Sequence, residues 1–184
     1  MRALLSFLTM VAVTVAAMNM GGLLFGFIDP LSVALLMGVT LAGTFMTFTF
    51  HEFRSGIVNY FSSGNELGRE DALLGANLFR HMSMMASGAG LIGALLGQLE
   101  FLHVLDDPPK MGPAIAVSFL SVLYAVLVGE LMLGSMSTDY LSRGGLVGIA
   151  ERPKNYSSVR ALVGVAIGTI AIGQVMVVIS NMPQ

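Results

Sequence analysis

The sequence contains no cysteine and no tryptophan, and only 11% of its 184 residues are charged, against about 25% in an ordinary soluble domain. The absence of cysteine excludes disulfide bonds, thiolate metal sites and cysteine nucleophiles. A net charge of -2 gives no reason to expect nucleic acid as a partner. Apolar residues dominate instead: 55% are hydrophobic, with 22 glycines and 14 methionines. This composition predicts an integral membrane protein whose helices pack closely through small residues.

Five stretches of 19 to 26 residues are free of Asp, Glu, Lys and Arg. A helix needs ~20 largely apolar residues to cross the hydrocarbon core, so each stretch predicts one span. The predicted spans are 3–27, 31–50, 82–102, 112–135 and 161–181. The predicted fold class is therefore an all-α integral membrane protein with five transmembrane helices. The first apolar stretch is longer than the core of a secretory signal, so we interpret it as a retained helix.

The basic residues indicate the orientation, because Lys and Arg accumulate in cytoplasmic loops. All but one fall on the same side of a five-span arrangement: Arg2, Arg54, Arg69, Arg80, Arg143, Arg152, Lys154 and Arg160. Lys110 falls on the other side. The N-terminus is therefore predicted to be cytoplasmic and the C-terminus extracytoplasmic.

The spans divide the chain into five segments. These are an N-terminal hairpin 1–50, a cytoplasmic segment 51–80, a helical hairpin 81–137 with an extracytoplasmic loop 103–112, a cytoplasmic segment 138–160 and a last span 161–184. The extracytoplasmic connection carries acidic residues and prolines, namely Asp106, Asp107, Pro108, Pro109 and Pro113.

Catalytic chemistry finds no support in the residue pattern. His51, His81 and His103 are scattered and form no metal-ligand spacing. No nucleophile and general base occur together in a recognisable catalytic arrangement. We therefore expect neither an enzyme nor a metal site nor a cofactor.

Two neighbouring spans each carry a row of small residues. In the fourth span the row is Ala114, Ser118, Ser121, Ala125 and Gly129, and in the third span it is Ser83, Ala86, Gly90, Gly93 and Gly97. At about 100° per residue, each row stays on one helical face. Such rows serve either close helix packing or the lining of a passage that holds a partner helix. The sequence leaves both uses open.

Glu130 places a carboxylate within the predicted fourth span. A charged residue at the centre of a span costs about 2.5–3.5 kcal/mol on insertion scales, so Glu130 requires either a function or access to the interface. It lies about 8 Å from the cytoplasmic end of the predicted span, which leaves interface anchoring and proton handling both open. On a regular α-helix it lies half a turn from Ser121, so the two side chains would not face one lumen.

Four stretches are similar to the spans of one family. Residues 29–42 (DPLSVALLMGVTLA) resemble the second span of MotA, and residues 90–97 (GLIGALLG), 105–117 (LDDPPKMGPAIAV) and 120–124 (LSVLY) follow its third and fourth spans nearly in register. They extend over roughly half the chain. The sequence thus resembles the MotA/TolQ/ExbB proton-channel superfamily, whose members power membrane motors.

The resemblance implies a helical bundle of the bacterial inner membrane, a homopentamer around a dimer of a single-span partner similar to MotB, ExbD or TolR. In that arrangement an aspartate of the partner carries the proton and this chain supplies the pore wall. The residues expected along the ion pathway or facing the partner helix are Gly90, Gly93, Ala94, Gly97, Ala114, Ser118, Ser121, Val122, Ala125 and Gly129. The expected function is a stator-like subunit that couples proton-motive force to rotary work.

Departures from the family refine this expectation. MotA proteins commonly carry threonines, associated with sodium use, where Ala94 and Val122 stand, so the resemblance favours H⁺ as the ion. Glu130 stands where relatives often have an amide. The long cytoplasmic insertion that engages the flagellar rotor is reduced to 51–80, so we expect a reduced relative that drives a partner spanning the envelope, or one that serves an unknown motor. A non-conducting scaffold is the alternative, and a small transporter using Glu130 and Gln174 is a third hypothesis.

Overall fold

The computed structural model describes residues 29–62 and 67–146, together with the isolated positions 8, 9, 12, 16 and 173. The described ranges are helical and contain no strand, which confirms the all-α prediction for them. They belong to the first of two compact units, Met1–Ile149; of the second unit, Ala150–Gln184, only residue 173 is described. The predicted spans 3–27 and 161–181 lie outside the described ranges.

The helices follow in the order α1 (Pro30–Phe45), α2 (Phe50–Ser62), α3 (Arg69–His103), α4 (Pro108–Tyr124), a π-helix (Ala125–Leu133) and α5 (Gly134–Arg143). Two helical stretches are long and apolar enough to cross a membrane, Arg69–His103 and Pro109–Arg143. The bent pair of α1 and α2 is a third candidate. A membrane-spanning helical protein is therefore supported, and the number of five spans stays a prediction.

The start of α1 is encoded locally. The Asp29 carboxylate accepts the backbone N–H groups of Leu31 at 3.2 Å and Ser32 at 3.0 Å. Pro30 occupies the first helical position, where a missing N–H has no partner to lose. The helix ends at Phe45, five residues before the predicted end of the second span, and the chain then bends by 113° into α2.

A capping box begins α2. The backbone N–H and the hydroxyl of Thr49 donate to Glu52 Oε2 at 2.8 and 2.7 Å, and the Glu52 N–H donates back to Thr49 Oγ1 at 3.4 Å. This reciprocal pattern satisfies N–H groups that the first helical turn leaves unbonded. The hydrogen bonds from Thr49, the backbone one first, lower the pKa of the Glu52 carboxyl.

The third helix, α3, is longer than a membrane is thick. Its 35 residues extend about 52 Å at 1.5 Å per residue, against a hydrocarbon core of ~30 Å. The end of the predicted cytoplasmic segment 51–80 and the predicted span 82–102 are therefore one uninterrupted helix. Only residues 104–107 connect α3 to α4. The turn is shorter than the predicted loop 103–112 because Pro108 and Pro109 already form the first turn of α4, a position that proline favours.

An antiparallel helical hairpin forms the frame of the fold. α3 runs against α4, the π-helix and α5, and the facing residues keep one register along the pair: Gly97 with Ser118, Gly93 with Ser121, Gly90 with Ala125, Ala86 with Gly129, Ala76 with Ser137 and Ala72 with Gly144. α1 packs on the middle of this hairpin, where Gly43 lies against Met85.

An aromatic cluster ties α2 to α5 at the end of the hairpin opposite the short turn. Tyr140 is fully buried and its hydroxyl donates to the Gly56 carbonyl oxygen. The rings of Tyr60 and Tyr140 lie 5.6 Å apart. Arg143 pairs with Asp139 at 2.6 Å, and its guanidinium carbon lies 4.9 Å from the centre of the Tyr60 ring. These contacts hold α2 against the hairpin.

Candidate functional site

The two rows of small residues face each other across the hairpin. A Cβ atom on Gly93 would lie 2.5 Å from Ser121 Oγ, and one on Gly97 would lie 2.7 Å from the Ser118 amide nitrogen. The helices therefore approach to a distance that glycine allows and larger residues do not. Close packing, one of the two uses left open by the sequence, is what this geometry shows.

Nine of the ten residues predicted to line an ion pathway or to face a partner are buried within the single chain: Gly90, Gly93, Ala94, Gly97, Ala114, Ser118, Ser121, Ala125 and Gly129. Val122 is half-buried. A residue covered by its own chain does not reach a second protein while the hairpin stays closed. The geometry accounts for the nine residues through packing, and their assignment to an ion pathway stays a prediction.

Serine hydroxyls within the hairpin bond across it to backbone oxygens. Ser118 Oγ donates to the Ala94 carbonyl oxygen at 3.2 Å, and Ser137 Oγ donates to the Ala76 carbonyl oxygen at 2.8 Å. A buried hydroxyl is costly unless it is hydrogen-bonded. These bonds therefore both satisfy the serines and fix the register of the two helices.

A polar cluster joins α1 to α4. Ser32 Oγ and Ser121 Oγ lie 2.9 Å apart, and Ser32 Oγ also donates to the Asp29 carboxylate. The Asp29 backbone N–H donates to the Tyr124 hydroxyl oxygen at 3.2 Å. Asp29, Ser32, Ser121 and Tyr124 therefore meet where α1 begins, beside the contact of Ser121 with Gly93.

The sequence interpretation included Ser121 among the site residues but omitted Asp29 and Ser32. A local signal existed for Asp29 alone, because an aspartate directly before a proline at the start of an apolar run is an N-cap pattern. That pattern predicts the cap alone. The contact with Ser121, 89 positions further along the chain, depends on how α1 docks on the hairpin.

Glu130 lies in the π-helix rather than in a regular α-helix. The half-turn separation from Ser121 was expected for a regular α-helix and does not apply to this segment, because i→i+5 hydrogen bonds widen each turn and change the angle between successive residues. Glu130 is half-buried, and Ser87 Oγ of α3 donates to Glu130 Oε1 at 3.1 Å. The carboxylate thus meets a hydroxyl of the facing helix.

The buried face of α1 adds further hydroxyls. It repeats every four residues through Ser32, Leu36, Thr40 and Thr44. Thr44 Oγ1 donates to the Thr40 carbonyl oxygen at 2.6 Å, whereas Thr40 Oγ1 is buried without a hydrogen-bond partner in the described part of the chain. Among the described residues, no three His, Asp or Glu side chains come together in a way that could hold a metal ion.

The predicted extracytoplasmic residues lie apart from these clusters. Asp106 and Asp107 stand in the turn after α3, and Asp107 Oδ2 is 2.7 Å from Lys110 Nζ in an exposed ion pair. An exposed pair of this kind contributes about 0–1 kcal/mol. Pro109 opens α4 beside Pro108, and Pro113 lies within that helix.

Comparison with known proteins finds similarity over about a third of the chain. Relative to the chemotaxis protein PomA of Vibrio alginolyticus, the chain is 36% identical over 58 residues, which are 32% of this chain and 23% of the relative. Relative to motility protein A of Borreliella burgdorferi, it is 30% identical over 59 residues, again 32% and 23%. The chain thus matches about a quarter of the length of these curated relatives.

These partial similarities support the resemblance to the MotA/ExbB family, over a smaller share of the chain than the half estimated from the sequence stretches. No family model matches the chain, and no solved structure matches it significantly. The helical hairpin and the two relatives together define a membrane protein with a MotA-like portion.

Proposed function

We propose that this chain is a stator-like proton-channel subunit of the bacterial inner membrane. Five copies surround a dimer of a single-span partner, and an aspartate in the partner's membrane helix carries H⁺. The chain itself is not an enzyme and uses no cofactor. Its N-terminus is cytoplasmic and its C-terminus extracytoplasmic. Uptake and release of protons by the partner's aspartate drive rotation of one ring of helices within the other.

One observation carries the proposal: the chain is similar to PomA and motility protein A, and the stretches that resemble MotA's third and fourth spans form the antiparallel hairpin. Each arm of the hairpin is a 35-residue helical stretch. At about 52 Å, such an arm crosses the ~30 Å hydrocarbon core and continues beyond it. A stiff hairpin of this length suits the wall of a ring.

Because the two small rows pack against each other within the chain, contacts with other molecules are left to the side chains that remain exposed. On α3 and α4 several of these are large and apolar, among them Ile92, Leu95, Leu96, Leu99, Leu102 and Phe119. In the proposed assembly, contacts with neighbouring copies, partner helices and lipid fall to these side chains. The packed rows keep each hairpin rigid while the ring turns.

Co-expression with a single-span protein encoded beside this gene tests the proposal. We expect a stable asymmetric complex, with five copies of this chain around two partner helices in a cryo-EM reconstruction. Reconstituted vesicles should show proton flux that an Asp→Asn change in the partner's membrane helix abolishes. Purification of this chain with an empty axis, or vesicles that stay proton-tight with every candidate partner, would contradict the proposal.

A non-conducting scaffold is a second candidate, favoured by the burial of nine of the ten predicted pathway residues within one chain. A scaffold predicts a stable complex without proton flux. Ser121→Leu does not discriminate between the two functions, because a leucine has no room against Gly93 and Ser32. Ser121→Ala adds no volume, so a loss of flux in an intact complex favours the channel.

A further inference from the structure

Glu130 is isolated among ionisable residues along its helix. It is the only Asp, Glu, Lys or Arg between Lys110 and Asp139. Asp139 is nine residues away, about 13 Å along a helix. A carboxylate so placed in a span is rare and marks a candidate site for moving protons or ions.

The backbone brings this carboxylate close to α3. The π-helix carries Glu130, and the preceding residue, Gly129, lies directly against α3. A Cβ on Gly129 would lie 3.2 Å from the Ser83 carbonyl oxygen and 3.5 Å from Ser87 Oγ. The two helices therefore approach closely beside the point where Glu130 contacts Ser87. π-Helical segments inside α-helices are frequent at functional sites.

Ser87 has two oxygen neighbours and one hydrogen to donate. Its Oγ lies 3.0 Å from the Ser83 carbonyl oxygen and 3.1 Å from Glu130 Oε1. A serine hydroxyl supplies a single O–H donor and two acceptor lone pairs. Both contacts are therefore full hydrogen bonds only when Glu130 itself supplies the second hydrogen.

Two hydrogen-bonded states share these atomic positions. When Glu130 is ionised, the Ser87 hydroxyl donates to the carboxylate. When Glu130 is protonated, the carboxylic O–H donates to Ser87 Oγ, and the Ser87 hydroxyl turns to the Ser83 carbonyl, a usual bond for a serine within a helix. A proton from water binds to or leaves a Glu130 carboxylate oxygen with no other covalent bond made or broken, and the Ser87 hydroxyl rotates.

From this arrangement we infer that Glu130 and Ser87 form a proton-binding site of this chain, in which the serine hydroxyl reverses its hydrogen bond as the glutamate gains or loses a proton. The site stands on the geometry of a single chain. Its use in ion passage rests on the proposed function, where it would exchange protons on the cytoplasmic side of the partner's aspartate.

The other charged and titratable groups on the described helices around this site are His81 and Arg80 on α3, Tyr124 on α4, and Asp139 and Arg143 on α5. On α3, His81 is six residues from Ser87 and its Nε2 lies 3.2 Å from the Gly43 carbonyl oxygen of α1, while Arg80 precedes it. On α4, the Tyr124 hydroxyl accepts the Asp29 N–H. On α5, Asp139 and Arg143 pair with each other.

Infrared difference spectroscopy of the full chain in lipid, recorded between neutral and acidic pH, tests the inference. Acidification should protonate the chain's carboxylates together and produce overlapping carbonyl bands, of which Glu130→Gln should remove one component. The matched control is Glu100→Gln, which changes an exposed carboxylate near the C-terminal end of α3 and should leave the Glu130 band in place. A spectrum unchanged by Glu130→Gln would overturn the site.

The serine provides a second test that keeps the glutamate. Ser87→Ala should move the band to higher frequency, because the carboxylic O–H loses its acceptor, and Ser87→Thr should restore the original position. The same band frequency in the parent protein, Ser87→Ala and Ser87→Thr would contradict the role of Ser87. This comparison holds even if Glu130→Gln cannot be purified. The measurement needs no partner, so a failed flux assay would contradict the proposed function and leave this result intact.

Discussion

Gly97 of α3 faces the backbone of Ser118 in α4 so closely that a Cβ on residue 97 would lie 2.7 Å from the Ser118 amide nitrogen. The backbone of Ser118 therefore packs directly against residue 97, which has no side chain, near the turn that connects the two helices. The Ser118 hydroxyl uses the same proximity to reach the Ala94 carbonyl oxygen at 3.2 Å. Both the close packing and the hydrogen bond at this point result from the absence of a side chain at Gly97.

Gly97→Ala should therefore destabilise the hairpin. We expect the free energy of unfolding to fall by about 1–3 kcal/mol, the usual range for an overpacked core, because the added methyl meets backbone that cannot turn aside. Gly88→Ala is the matched control in the same helix, since a Cβ there would have nothing within 4 Å. The control should be neutral or stabilising by up to about 1 kcal/mol. Equal unfolding free energies for both variants in mixed-micelle titrations would refute the packing account.

Removal of the α1 cap should weaken the docking of α1. Asp29→Ala deletes the acceptor of the Leu31 and Ser32 N–H groups, which costs about 0.5–2 kcal/mol for a helix N-cap. Asp29→Asn keeps an oxygen acceptor and should lose less. Asp106→Ala, in the exposed turn after α3, serves as the control and should stay within about 0.5 kcal/mol of the parent. A larger loss for Asp29→Asn than for Asp29→Ala would argue against capping.

Two tyrosines in one cluster should differ in how much stability they lose with the hydroxyl. Tyr140→Phe removes the donor to the Gly56 carbonyl oxygen, and we expect a loss of about 0.5–1.5 kcal/mol. The Tyr60 hydroxyl is buried without a hydrogen bond of good geometry to the described residues, although burial and the nearby Asp139 carboxylate raise its pKa, so Tyr60→Phe should cost less than Tyr140→Phe. Thermal unfolding of both variants in the same buffer should give a lower melting temperature for Tyr140→Phe than for Tyr60→Phe, and the reverse order would contradict this account.

The Thr49–Glu52 capping box predicts a dependence on pH. Because the folded pKa of Glu52 is lowered from its ordinary value of 4.5, its contribution to stability is present above that value and is lost as pH falls through the lowered one. Glu52→Gln should reduce the melting temperature at neutral pH and have progressively less effect as the solution is acidified. A difference between the two proteins that stays constant down to strongly acidic pH would contradict the capping interaction.

Local patterns in the sequence predicted the helical class, the start of a helix near residue 31 and the existence of both small rows. They did not predict that the rows would face each other, because a small face is equally suited to a helix of the same chain and to one from a partner. The contact of the Asp29 N–H with Tyr124 joins residues 95 positions apart, and no periodicity encodes it. Local patterns also failed to predict the π-helix, because hydrophobic spacing within nine residues does not distinguish i→i+4 from i→i+5 hydrogen bonding.

The short length of α1 has a consequence for the surrounding lipid. Its 16 residues extend about 24 Å, roughly 6 Å less than the hydrocarbon thickness of a typical bilayer. If α1 is the span predicted over 31–50, acyl chains beside it must compress, whereas those beside the 35-residue arms need not. Such hydrophobic mismatch costs fractions of a kcal/mol per Å. The protein should therefore deform its lipid annulus unevenly, and bilayers made of shorter acyl chains should relieve that deformation.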